Sequence, residues 1–239
     1  MTNINGKVAL ITGGSKGIGL GIAEAMVREG MKVAVTSRTQ ASADEAAQHL
    51  NQMVPNSAIG IQADVTYYAA QEASVEKTVA TFGKLDVLIA NAGVGHFASI
   101  EEMSLEQWQQ TIDINLTGVF HSVKAAIPAI KESQGYIITI ASLAGANFFA
   151  AGSAYNASKF GLVGFTQAVM LDLRQYGVKV STVMPGSVAT AFNNRTVSDA
   201  DAWKIQPEDL GQITVDLLKM HPRALPSKVE VRPSIPPRR

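Results

Sequence analysis

Short runs of consecutive apolar and β-branched residues punctuate the chain: VALIT from Val8, VAVTS from Val33, AIGIQ from Ala58, LDVLIA from Leu85, YIITIA from Tyr136, VKVSTVM from Val178 and KVEVR from Lys228. Most lack the alternation of a strand with one wet face. Continuous runs are the habit of strands buried on both faces, in a parallel sheet covered by helices. Between them the apolar positions take helical spacing, as in IGLGIAEAMVREG, SADEAAQHLNQM, AAQEASVEKTVATFG and LEQWQQTIDINLTGVFHSVKAAIPAI. Strand and helix alternate along the whole length, which predicts right-handed βαβ crossovers. The expected fold is α/β: a doubly wound parallel sheet of about seven strands with helices on both faces, three layers deep. Gly30 and Gly83 stand just past helical patterns, and Ser104 is placed to cap a helix from Leu105. No linker or internal repeat interrupts the pattern. Residues 1–239 therefore read as one domain ending in a Pro/Arg tail at 233–239 that continues neither strand nor helix.

Apolar residues make up 46% of the chain and charged residues 17%, enough for a large core and too little charge for disorder. The formal net charge is zero, so no overall field draws nucleic acid or an anionic membrane surface, and neither is expected as a partner. No apolar run reaches the roughly 18 residues that span a bilayer. The opening MTNINGKVALITGG has too short an apolar stretch for a signal peptide, so a cytoplasmic location is expected. Cysteine is absent, and His49, His96, His121 and His221 are scattered, so no metal site is expected.

After the first strand comes TGGSKGIG, residues 12–19, leading into an amphipathic helix. Gly13, Gly17 and Gly19 would let the backbone turn tightly and approach a pyrophosphate, whose charge is favoured by free amides at a helix N-terminus. The spacing is TGxxxGxG, not GxGxxG, and taken alone it also suits a flexible turn. The residues ending the second strand decide between dinucleotides, because a carboxylate accepts from ribose hydroxyls whereas a cation pairs with a 2′-phosphate. Here Ser37 and Arg38 stand at that end with no carboxylate, and Lys16 lies in the glycine turn. NADP(H) is therefore preferred, with NAD(H) possible. The two cations also fit a solvated surface.

In SAYNASKFG, Tyr155 and Lys159 are four residues apart, on one helix face. A free phenol titrates near ~10, too high for acid/base work at neutral pH, and a neighbouring ammonium favours the phenolate. The pair also fits a packed tyrosine beside a lysine that reaches out to water. Ser142, at the end of YIITIAS, lies where the carboxyl ends of a parallel sheet gather ligands. It sits in IASLAG rather than in a GxSxG elbow, so acyl transfer finds no support.

With TGGSKGIG, the NAG of Asn91, Ala92 and Gly93, then Asn115, Ser142 and YNASK in this order, the chain resembles the short-chain dehydrogenase/reductase family over nearly its full length. That resemblance implies a Rossmann-like fold and hydride transfer between a nicotinamide and a carbonyl carbon. Tyr155 would exchange the proton, Ser142 donate a second hydrogen bond, Lys159 bond the nicotinamide ribose and Asn115 hold a water for proton resupply. Asn115 could equally mark a kink in its helix. The resemblance extends the cofactor contacts to Ser15 and Ile18 in the turn, to Asp64 and Val65 after the third strand, and to the NAG turn. Pro185, Gly186, Val188 and Thr190 in MPGSVAT would complete them. The nearest likeness is to beta-ketoacyl reductases and NADPH-dependent ketone reductases, and a homotetramer or dimer is implied.

Leu143, Phe148, Phe149, Val94, Phe97, Phe192 and Trp203 are the candidate walls for a small apolar carbonyl or alcohol substrate. The lid, about residues 190–206, is short and the final strand does not end as in carrier-protein reductases, which puts an acyl carrier in doubt. An NAD-dependent alcohol or sugar dehydrogenase remains an alternative on the same fold. A non-catalytic dinucleotide sensor remains one from another class.

Overall fold

In the computed structural model, which describes residues 2–236, each apolar run becomes a strand: β1 (Val8–Ile11), β2 (Lys32–Ser37), β3 (Ala58–Gln62), β4 (Val87–Ala90), β5 (Tyr136–Ile140), β6 (Lys179–Pro185) and β7 (Lys228–Val231). They form one sheet in the order β3-β2-β1-β4-β5-β6-β7. Every neighbouring pair is parallel. The continuous runs have a simple cause. Ala9, Ile11, Val33, Val35, Ile89 and Ile138 face one buried layer. Leu10, Ala34, Leu88, Ala90, Ile137 and Val180 face the other. With both faces dry, neither set of alternating positions can be polar.

The helices are α1 (Gly17–Arg28), α2 (Gln40–Met53), α3 (Tyr68–Phe82), α4 (Leu105–Ile112), α5 (Gly118–Glu132), α6 (Ser153–Leu173) and α7 (Pro207–Lys219). Residues of α1, α2 and α7 fill the first layer. Those of α3, α5 and α6 fill the second. No helix among the described residues is long and apolar enough to cross a membrane. The expected stop at Gly83 is a left-handed C-cap with φ +85°. Ser104 closes a reciprocal cap, accepting from Gln107 N at 3.1 Å while Gln107 Oε1 accepts from Ser104 N at 3.2 Å.

One expectation needs refinement. The helical pattern from Leu105 to Ile130 is not a single α-helix, because Asp113–Thr117 forms a π turn between α4 and α5. A π turn inserts a residue into the ladder, so Asn115 sits at the discontinuity, fully buried. In the Pro/Arg tail, Pro233–Pro236 is mostly exposed, and Pro237–Arg239 lies outside the described residues.

The crossovers carry β1 and β4 in opposite directions from the middle of the sheet, so a crevice opens at the carboxyl ends of these two strands. Helix α7 is locked beside it. A Cβ on Gly211 would stand 2.5 Å from Gly21 O and 2.9 Å from Ala25 Cβ, so the backbones of α1 and α7 meet directly. Alanine at that position gains up to about 1 kcal/mol of helix propensity, but overpacking against fixed backbone costs about 1–3 kcal/mol. Gly211→Ala is therefore expected to destabilise the fold by up to about 2 kcal/mol net, read as a lower urea midpoint.

Candidate active site

The carboxyl ends of β1 and β4 are laced together by two side chains. Thr12 Oγ1 accepts from the amides of Asn91 at 3.0 Å and Ala92 at 3.2 Å. Asn91 Nδ2 donates to Thr12 O at 2.9 Å and Gly13 O at 3.1 Å. The glycine turn is thus held from behind. Gly13 and Gly17 adopt φ +62° and +56°, which a side chain would strain. A Cβ on Gly19 would come within 2.5 Å of Gly13 O and 2.6 Å of Asn91 Nδ2. Helix α1 begins at Gly17 with Lys16 as N-cap, no side-chain cap and no acidic residue in its first turn. Its leading amides are therefore available to an anion, and the turn fits the pyrophosphate of a dinucleotide. Ile18, by contrast, packs on the core.

The loop after β6 stands over this turn. Thr190 Cγ2 lies 3.3 Å from where a Cβ on Gly17 would be. Pro185 ends β6, Gly186 N donates to Val231 O at 2.8 Å, and Val188 pairs with Ile205 in an isolated parallel bridge. At the other end, Ser15 Oγ donates to Ser37 Oγ at 3.2 Å. Arg38, Asp64 and Thr66 line an open groove of about 680 Å³ against α4. Asp64 Oδ1 accepts from Thr66 N at 2.9 Å and Thr66 Oγ1 at 2.8 Å. Val65 is buried, packed where a Cβ on Gly118 would meet it at 2.6 Å. Lys16 and Arg38 are exposed, and among the described residues the ion pairs involve neither.

Helix α6 brings Tyr155 and Lys159 to the same crevice. Lys159 is 4% exposed, donates from Nζ to Ile140 O at 3.1 Å, and lies 5.7 Å from the Tyr155 ring centroid. A Cβ on Gly93 would be 3.8 Å from that Nζ and 3.3 Å from Asn115 Oδ1, so the NAG turn, Asn115 and Lys159 converge. Asn115 Oδ1 accepts from Val94 N at 2.8 Å, and its Nδ2 donates to Val94 O at 2.9 Å and Ser158 Oγ at 3.1 Å. Ser158 Oγ in turn donates to Tyr155 O at 2.8 Å. Ser142 closes the group, donating to Pro185 O at 3.4 Å and accepting from Ala144 N at 3.1 Å.

Among the chain's own groups, burial acts against the lowered phenol expected beside an ammonium. Burial raises the Tyr155 phenol above its usual value, and the neighbouring Ser142 hydroxyl opposes that rise. The Lys159 cation does not reverse it. Burial pushes the lysine itself down to about 8, so it stays mostly cationic at neutral pH and loses its charge only above that value.

Of the candidate wall residues, Phe97 meets Tyr155 edge-on with centroids 5.3 Å apart, Phe192 lies 6.1 Å from Tyr155, and Phe149 lies 5.9 Å from Phe97. Val94 is held by Asn115, and Leu143 reaches Gly186. Phe148 departs from expectation: it is 87% exposed. Trp203 instead lines a second groove with Val231–Ile235. Sequence reasoning missed Thr12, Ser158 and Asn156, none of which belongs to an ionisable pair. Asn156 Nδ2 donates to Ala144 O at 2.7 Å and Asn147 O at 2.8 Å, anchoring the loop after Ser142. The only signal was a polar residue at a buried helical position, which becomes informative once the helix face is known.

The profile of the family described as short chain dehydrogenase matches residues 7–201. The trans-4-hydroxycyclohexanecarboxylate dehydrogenase of Sinomonas cyclohexanicum is 38% identical over 77% of this chain and 73% of its own. Among solved structures, an alcohol dehydrogenase from Thermococcus sibiricus complexed with 5-hydroxy-NADP superposes with a TM-score of 0.91 at 27% identity, covering 98% of this chain and 99% of that one. A 3-ketoacyl-(acyl-carrier-protein) reductase from Brucella melitensis complexed with NADH gives 0.88 at 27%, covering 97% and 98%.

The buried lysine makes stability depend on pH. The unfolded chain keeps this proton up to about 10.5, whereas the folded chain releases it above about 8, so the unfolded state binds more protons between those values. Without added dinucleotide, the chain is expected to gain stability relative to Lys159→Met as pH rises from about 8 to about 10.5. The variant should be the more stable of the two at pH ~7. Urea titrations across that range test it, and a constant difference would contradict the burial of a weakened ammonium.

Proposed function

As the chain belongs to the short-chain dehydrogenase family, oxidoreductases of CH–OH and C=O groups that use a nicotinamide dinucleotide, we propose that it reduces a small apolar ketone with NADPH. The observation that carries this reading is the convergence of the Tyr155 phenol, the Ser142 hydroxyl and the buried Lys159 beside the uncapped start of α1. A bound nicotinamide dinucleotide supplies the hydride that the carbonyl carbon accepts. The glycine turn and the leading amides of α1 would hold its pyrophosphate, with Thr190 above. Asp64 would face the adenine end.

Ser142 and Tyr155 orient the substrate oxygen, and Tyr155 gives its proton to that oxygen as the C–O bond becomes an alcohol. For reduction the phenol must begin protonated. Burial raises its pKa, which supports that direction. Lys159, hydrogen-bonded to Ile140 O and 5.7 Å from the Tyr155 ring centroid, would steady the helix face that carries Tyr155 and resupply the proton. Asn115 holds the turn opposite. The preference for NADPH rests on Lys16 and Arg38, two exposed cations outside the ion pairs, at a strand end without a carboxylate. The segment 190–206 would serve as the substrate lid. Leu105 and Trp108 on α4, Phe120 on α5 and Phe160 on α6 leave apolar rings and chains in solvent, which supports docking of a second copy and a dimer or tetramer.

Tyr155→Phe is expected to lower kcat by about 10²–10⁴ while NADPH affinity stays within about two-fold. Turnover near the parent rate, followed by nicotinamide absorbance, would rule out the phenol as proton donor. Arg38→Asp is expected to weaken NADPH binding by about ten-fold or more and to spare NADH. Unchanged NADPH affinity in a fluorescence titration would remove the phosphate clamp.

A further inference from the structure

Phe97 and Phe192 pack against Tyr155, and Phe149 packs against Phe97. Phe97, Phe149 and Phe192 come from three separate segments, after β4, after β5 and after β6, and remain 41%, 47% and 37% exposed. Large aromatic side chains gathered at one place and left half in water mark a surface awaiting an apolar partner.

Gly95 shows that the arrangement is a built one. Its φ is not among the positive values, so the backbone does not require glycine there. Space does: a Cβ would stand 2.6 Å from Phe192 Cε1 and 3.0 Å from Phe97 Cε2. Glycine at 95 therefore lets both rings close over Tyr155. Asn156 seats the third ring, since its Oδ1 accepts from Phe149 N at 3.4 Å while its amide donates to Ala144 O and Asn147 O.

The polar groups nearby are already engaged. His96 Nε2 lies 2.6 Å from Gln110 Oε1, and Lys159 Nζ donates to Ile140 O. A flat ring beside the carbonyl would find phenyl partners here.

We infer that the substrate carries an aryl group within one methylene of its carbonyl, seated among Phe97, Phe149 and Phe192. The inference rests on the ketone-reductase reading and adds the class of ketone. Aromatic pairs prefer edge-to-face and offset contacts and add to simple area burial, so two or three of them distinguish an aryl ring from a saturated ring of equal carbon count by about ten-fold.

The test uses the full chain with NADPH and three nine-carbon ketones: phenylacetone, cyclohexylacetone and 2-nonanone. kcat/KM for phenylacetone is expected to exceed that for either of the others by about ten-fold or more. In Gly95→Ala, and independently in Phe97→Leu, that ratio should fall to near one while NADPH affinity stays within about two-fold. Phe97→Leu keeps the test open if Gly95→Ala fails to fold. Reduction of all three ketones at similar kcat/KM, or a ratio that survives Phe97→Leu, would overturn the aryl subsite and leave the ketone-reductase reading standing. Reduction of none of them would overturn both.

Discussion

A primary ammonium kept almost wholly from solvent is the group around which this site is arranged. Lys159 loses hydration on folding, and a single hydrogen bond to Ile140 O recovers only part of it, which is why its proton affinity falls. The cost is tolerated because that bond ties α6 to the carboxyl end of β5, the edge at which a doubly wound sheet places ligands. Neighbouring positions conform to it. Gly93 leaves space beside Nζ, and the Asn115 amide is spent on Val94 and Ser158.

The rest of the crevice is held by uncharged groups. Thr12 and Asn91 lock the glycine turn to β4, so the amides at the start of α1 are presented by a rigid frame and are not occupied by a cap. Preorganised amides favour an anion without further rearrangement. The cations Lys16, in the glycine turn, and Arg38, just past β2, lie on the surface, where their worth depends on what approaches them. The crevice is thus built from fixed dipoles with surface charge beside them, and the apolar rings beyond Tyr155 flank the reacting side.

The fold was legible because its pattern is redundant. Every strand was readable as an apolar run, most of them continuous enough to be buried on both faces, and Gly83 and Ser104 stopped and started helices through local backbone chemistry alone. The candidate site was legible to the extent that its residues lie close in sequence: the glycine turn in one loop, Tyr155 and Lys159 on one helix face. Asn115 was recognised as anomalous in its helix, and the π turn is the form that anomaly takes. Thr12, Ser158 and Asn156 were not recognised, because a small polar residue acquires its role only from a partner far along the chain.

Local pattern and spacing by themselves determined the layers, the position of the glycine turn and the pairing of phenol with amine, since each depends on residues within a few positions of one another. Tertiary structure alone decided the direction of the Tyr155 shift, the lowered proton affinity of Lys159, the outward turn of Phe148 and the meeting of Phe97 and Phe192 around one tyrosine, with Phe149 behind Phe97. The physical reason is that desolvation and ring packing depend on which distant segments exclude water from a point in space. Sequence distance carries no record of that.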